Sequence, residues 1–294
     1  MISAFTLLTA ATEAGSKTNE DGYGLWPPEA PRAAWVLDGV TGINDRALLP
    51  GPSDAAWFVA QVQKALPTLL SQSPDMPIGE LVGALVHEME RRQAESWIDP
   101  RGADGWETPA ASFALVRLLG ADIEIARLGD CLVLLEGADG AVSVMDHPVL
   151  DQIEAETRRA ILDLRAAGMT DRRRLFERMT PMLRAQRRRR NRNDGYGVLA
   201  AEQDCIAMVH VNRIPLQALR SVLLASDGYY RLVDHYGAMT DAELVRHTRA
   251  RGADALLEQL RAIEAGDPLS AAYPRLKCRD DATALLICVG QGKR

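Results

Sequence analysis

The chain has 294 residues and a formal charge of −6, with 47% hydrophobic and 25% charged residues, proportions that exclude fibrous, disordered and membrane classes. The acidic balance argues against nucleic acid as a partner, because a phosphate backbone needs a basic face. No stretch approaches the roughly 20 apolar residues of a membrane span, and the apolar start lacks a basic leader, so a cytoplasmic protein without a membrane partner is expected.

In chain order, residues 2–10 and 22–26 read as strands, and residues 33–37 as an apolar strand running into Asp38-Gly39. Ser53 caps a predicted helix carrying Trp57, Phe58, Val62, Leu66 and Leu69, and Ile78, Leu81, Leu85 and Met89 mark a second. Residues 112–119, 123–128, 131–135 and 142–145 form a predicted β-meander, punctuated by Gly120, Gly129 and Asp139-Gly140. A charged helical excursion spans about 149–194, and strands are predicted over 196–199, 206–211 and 221–225. Thr240 and Glu243 make a capping box that opens a helix pair broken at Gly252, and residues 282–289 form the last strand. Because strict βαβ alternation is missing, the order predicts a layered α+β fold, with residues 1–294 as a single domain. The widely spaced Cys131, Cys205, Cys278 and Cys288 contain no CxxC pair, so reduced thiols are expected rather than disulfides or a zinc site.

Five acidic spots share one grammar, an aspartate beside a small residue where an apolar strand starts or stops. They are Asn19-Glu20-Asp21-Gly22, Asp38-Gly39, Gly129-Asp130, Ser226-Asp227-Gly228 and Asp280-Asp281-Ala282. Each alone is a turn signal. Together, carboxylates at one sheet edge repel one another unless cations neutralise them, and oxygen ligands select hard ions such as Mg²⁺ or Mn²⁺. The five histidines show no paired-ligand spacing, and there is no Cys-x5-Arg loop.

The chain resembles the type 2C metal-dependent protein serine/threonine phosphatases in their compact bacterial form. The resemblance rests on Asn19-Glu20-Asp21, Asp38-Gly39-Val40-Thr41-Gly42, Ala111-Ser112-Phe113-Ala114, Leu128-Gly129-Asp130, Asp227-Gly228 and Asp280-Asp281-Ala282-Thr283, in that order. It implies a four-layer αββα sandwich, two stacked antiparallel sheets flanked by helix pairs, with a basic flap over 149–194. It further implies that Asp38 bridges two Mg²⁺ or Mn²⁺ ions and that the Gly39 carbonyl binds one of them. Asp227 and Asp280 would complete the other shell, Glu20 and Asp21 would orient metal-bound waters, and Asp130 would serve a weaker third position. Two such ions about 3.5 to 4 Å apart share a hydroxide that attacks phosphorus directly.

Three departures stand out against that family. Val40 occupies the place of a histidine, Thr41 replaces a glycine and is a candidate substrate contact, and Ser16 stands where a phosphate-binding arginine is usual. Lys17 is the nearest cation to that place. The implied substrate is a phosphorylated protein, acted on by a monomer. The motifs leave open a small phosphorylated metabolite, or a non-catalytic binding module. Ten arginines lie between Arg172 and Arg192, with Glu177 the only acid. The run is either a solvated helix face or a flap that attracts a phosphorylated partner.

Overall fold

A computed structural model of the chain describes residues 4–40, 43, 46–98, 105–145 and 147–289. Three strands, β1 (Thr6–Glu13), β2 (Asp21–Trp26) and β3 (Ala33–Gly39), precede helices α1 (Asp54–Gln72) and α2 (Ile78–Ser96). A meander of β4 (Ala110–Leu119), β5 (Asp122–Leu128), β6 (Leu132–Gly137) and β7 (Val142–Val144) leads to α3 (Pro148–Ala166) and α4 (Arg172–Arg187). Then come β8 (Leu199–Ala200), β9 (His210–Pro215), β10 (Leu219–Ala225), α5 (Asp227–Asp234), α6 (Asp241–Arg251), α7 (Ala253–Gly266) and β11 (Ala282–Cys288).

Two antiparallel sheets result, β1-β11-β10-β6-β7 and β2-β3-β4-β5-β9, with β8 on β4. The period-two alternation of strands decides the layers. In β3, Ala34 and Val36 point to the core between the sheets, whereas Trp35 and Leu37 pack under α1 and α2. In β10, Val222 and Leu224 meet that same inter-sheet core, and Leu223 and Ala225 pack under α5, α6 and α7. Both faces of the central strands are covered, which is why their sequences read as continuous apolar runs. The expected α+β arrangement of helices, sheet, sheet and helices is therefore realised. Among the described residues no helix is long and apolar enough to cross a membrane.

The caps act where the sequence put them. Ser53 Oγ accepts from the Ala56 amide at 3.1 Å, and Thr240 and Glu243 make the reciprocal box at the start of α6. The charged excursion forms α3 and α4, which pack on each other through Ile161, Leu175 and Met179.

Three local expectations need correction. Residues 206–211 are not one strand: Gln203–Met208 is a short 3-10 turn and β9 starts at His210. The apolar residues Cys205, Ile206, Met208 and Val209 fill the core beneath α2 instead of forming a pleat. The strand expected over 196–199 shrinks to Leu199–Ala200 on β4. The Asp227-Gly228 pair, which reads as a turn, opens α5 instead, with Ser226 in extended backbone at its N-terminus.

Candidate metal centre

The strand register gathers the acidic residues at one end of the sandwich. Asp21 and Asp38 are direct cross-strand partners on β2 and β3, and Asp38 pairs with Ser112 on β4. By alternation Asp38 shares the face of Ala34 and Val36, so it continues the inter-sheet side to its open end. Asp130 follows β5, where Ser112 Oγ donates to Asp130 Oδ1 and the Asp130 amide donates back to Ser112 Oγ at 3.2 Å. Gly129 makes this approach possible: its φ is +83°, and a Cβ there would collide with Ser112.

The other sheet supplies Asp227 at the exit of β10 and Asp280 at the entry to β11. The two ends are tied by the Ser226 amide donating to Thr283 O and the Thr283 amide donating to Ser226 Oγ, both at 2.9 Å. Asp281 has a different task. Its carboxylate accepts from the Gly15 and Glu20 amides, each at 2.7 Å, and so folds the β1–β2 loop against the site. The Glu20 carbonyl in turn accepts from the Gly39 amide at 3.0 Å.

Crowding shows in the acidities. Asp21 is 8% exposed, and neither of its carboxylate oxygens has a partner among the described residues. Burial outweighs the nearby Ser226 and Thr283 hydroxyls and pushes its pKa up to about 8. Asp38 is raised well above the ordinary range by burial and by the charges of Asp21, Asp227 and Asp130. Asp130 is pushed up to about 6 by burial and by Asp227, against the Ser112 hydrogen bond. Such hard, desolvated and mutually repelling oxygens suit a divalent cation at the Asp38 corner.

The Asp227–Asp280 corner is different. Arg231 Nη2 lies 2.6 Å from Asp280 Oδ2 and 3.6 Å from Asp227 Oδ2, and Lys277 Nζ lies 2.7 Å from Asp280 Oδ1. Burial opposes the charge of Asp280, but these two cations prevail and hold its pKa down at about 2. Among the described residues no three Asp, Glu, His or Cys side chains close around one point as a ligand set. The donor groups fit a cation on the Asp38 side, whereas on the Asp280 side the carboxylate oxygens are paired with Arg231 and Lys277.

A cavity of ≈ 990 Å³ opens over this centre, its wall including Asp38, Gly39, Asp130, Asp227, Asp280 and Arg187. Glu20 and Asp21 are buried beside it. Lys17 is exposed on the β1–β2 loop and is not part of the wall; Thr41 lies outside the described residues. Sequence reasoning missed Arg231 and Lys277. The spacing of Asp227 and Arg231, four apart and so one helical turn, was the available signal for the first. Arg187 belonged to the noted basic run, but nothing in the sequence tied it to the acidic centre.

The basic run itself divides. Arg190 is 6% exposed and donates to Thr108 O at 2.7 Å and to Glu202 Oε1 at 2.6 Å. Arg184 and Arg188 stack over Trp106, with guanidinium carbons 4.8 and 5.5 Å from the ring centre. Arg187 reaches the cavity wall, where burial works against its charge and Tyr196 and Glu20 favour it.

Comparison with known proteins supplies the family and the fold. The family model for protein phosphatase 2C matches residues 11–262, and the chain belongs to that family, an enzyme of the protein phosphatase class. No curated protein matches it by sequence. Among solved structures, serine/threonine phosphatase Stp1 from Staphylococcus aureus is 12% identical with a TM-score of 0.59, covering 99% of this chain and 98% of its own. The Mycobacterium tuberculosis serine/threonine phosphatase PstP/Ppp is 14% identical with a TM-score of 0.59, covering 98% and 99%. The catalytic domain of PstP in complex with two manganese ions is 15% identical with a TM-score of 0.56, covering 97% of each chain. At these identities the likeness establishes the fold.

Proposed function

We propose that this protein is a Mg²⁺- or Mn²⁺-dependent phosphatase that removes phosphate from phosphoserine and phosphothreonine in proteins. The observation that carries the proposal is the pairing of Asp38 with Asp21, a buried carboxylate whose two oxygens have no partner among the described residues. Family membership supports it, as does the manganese-bound PstP catalytic domain, which shares the fold. Asp38 and the Gly39 carbonyl are the proposed cation ligands, Asp21 and Glu20 orient its waters, and Asp130 borders a weaker position. A cation held there supplies charge neutralisation for the phosphoryl group and a water acidified toward neutral pH. Arg187 on the cavity wall offers the planar fork suited to phosphoryl oxygens, a better candidate than the exposed Lys17. Occupation of the Asp227–Asp280 corner by a second ion depends on Arg231 and Lys277.

The cavity volume of ≈ 990 Å³ lies at the upper end of small-ligand sites, which favours a phosphorylated residue with flanking peptide over a metabolite. We further read the chain as one domain with α3 and α4 as its flap, a cytoplasmic monomer without nucleic-acid or membrane partners. The test is hydrolysis of an aryl phosphate and of phosphothreonine peptides with each metal, in the native chain and in Asp38→Ala. Activity should need the metal and fall at least about 10²-fold in the variant, as loss of a main electrostatic contact requires. A folded protein inert on every substrate with both metals would instead identify a binding module.

A further inference from the structure

The two sheets meet the acidic centre with opposite charge states. On the β2–β3–β4 side the carboxylates of Asp21 and Asp38 face each other across the ladder, and both Asp21 oxygens lack a partner among the described residues. On the β10–β11 side each oxygen of Asp280 carries a cationic N–H, from Arg231 at 2.6 Å and Lys277 at 2.7 Å. Arg231 also lies 3.6 Å from Asp227 and retains only 19% side-chain exposure. Asp280 is likewise only 16% exposed.

The position of Arg231 is not an accident of a loose side chain. It stands one helical turn after Asp227 in α5, so the same backbone that presents Asp227 presents the guanidinium beside it. That helix is seated tightly: a Cβ at Gly228 would overlap the Asp281 carbonyl, and Tyr229 and Leu232 are buried against the sheet. Lys277 comes from the loop before β11, three residues before Asp280. A divalent ion at this corner would have to displace two cations from Asp280 or share the carboxylate with them at short range. Both alternatives oppose its binding, because like charges a few ångströms apart in a desolvated pocket repel strongly.

We propose that Arg231 and Lys277 are built-in cations standing in the place of a second divalent ion, so that the centre holds a single Mg²⁺ or Mn²⁺ at the Asp38 corner. This rests on the phosphatase reading above and sets its metal requirement. The two side chains neutralise Asp280 and border the same cavity as Asp38, so an incoming phosphate meets a corner without net negative charge. Charge on that side of the pocket is then permanent and does not vary with free metal concentration.

The deciding measurement is the stoichiometry of Mn²⁺ on the purified full chain by native mass spectrometry, with electron paramagnetic resonance as a second readout. One equivalent with the spectrum of an isolated Mn²⁺ ion is expected. The Arg231→Gln/Lys277→Gln double variant should take up a second equivalent, at least about tenfold tighter than any second binding to the native chain, and show spin coupling between neighbouring ions. If the double variant unfolds, Lys277→Gln alone serves, since its side chain is 44% exposed. Two tightly held, spin-coupled ions on the native chain would overturn the proposal while leaving the phosphatase reading intact. Failure to bind any Mn²⁺, with no metal-stimulated hydrolysis, would remove both.

Discussion

Replacing Asp21 with asparagine separates what the acidic centre costs the fold from what it gives the chemistry. In the metal-free protein burial pushes the Asp21 pKa up to about 8 from its ordinary 3.8. A carboxyl group raised in this way destabilises the fold: the effect is absent below about pH 4, grows as pH rises, and levels off above about pH 8. Between 3.8 and about pH 7 lie roughly three units, which at about 1.4 kcal/mol each set a ceiling near 4 kcal/mol. Asparagine keeps the shape and sheds the charge, but its amide still lacks partners, so we take about 2 kcal/mol as the net gain. That corresponds to a Tm higher by about 3 °C at pH 7 in a chelator, with the gap closing near pH 5, where the charge penalty has fallen to about 1.6 kcal/mol and no longer exceeds the cost of the unpartnered amide. With saturating Mn²⁺ the order should reverse, because an ion at a hundredfold excess over Kd adds about 2.7 kcal/mol to the native protein and much less to the variant. Thermal denaturation with and without chelator measures both effects. A variant less stable than the native protein in chelator at pH 7 would refute the reasoning, since the buried charge would then have a partner that the geometry lacks.

Three other outcomes are expected. Arg190→Ala should lose about 2–3 kcal/mol in chemical denaturation by removing the buried guanidinium that donates to Thr108 O and Glu202 Oε1, whereas Arg188→Ala, at an exposed position, should stay within about 1 kcal/mol; equal effects would contradict the division of the basic run. Gly228→Ala should lower both Tm and metal-dependent hydrolysis, because its Cβ overlaps the Asp281 carbonyl; a fully active variant of native Tm would show that α5 can shift freely. Asp281→Asn should cost about 2–3 kcal/mol and speed amide hydrogen exchange at Gly15 and Glu20, whose N–H groups it accepts. Unchanged protection at those two amides would refute the role given to Asp281.

The layers were legible because burial on both faces writes strands such as β4 and β10 as largely apolar text, and because Ser53 and Thr240 announce their helices. The acidic residues were legible as strand-end punctuation. What escaped was whatever tertiary packing alone decides. Ile206 and Met208 are apolar because α2 needs filling beneath it, and a short apolar run does not say whether it is pleated or coiled. Asp227-Gly228 carries a turn signature, yet contact with β11 makes it a helix start, and the unseen helix hid Arg231 with it. Lys277 gave no sign, since its meaning depends on where Asp280 ends up.

The centre straddles the gap between the sheets, with Asp21, Asp38 and Asp130 on one side and Asp227 and Asp280 on the other. The distance across it is therefore set by the thickness of the apolar filling between them, by side chains such as Val36, Val116, Val222 and Leu224. The reach between the Asp38 corner and the Arg231–Lys277 corner is thus a property of the core, fixed by hidden spacers that touch neither ion nor phosphate.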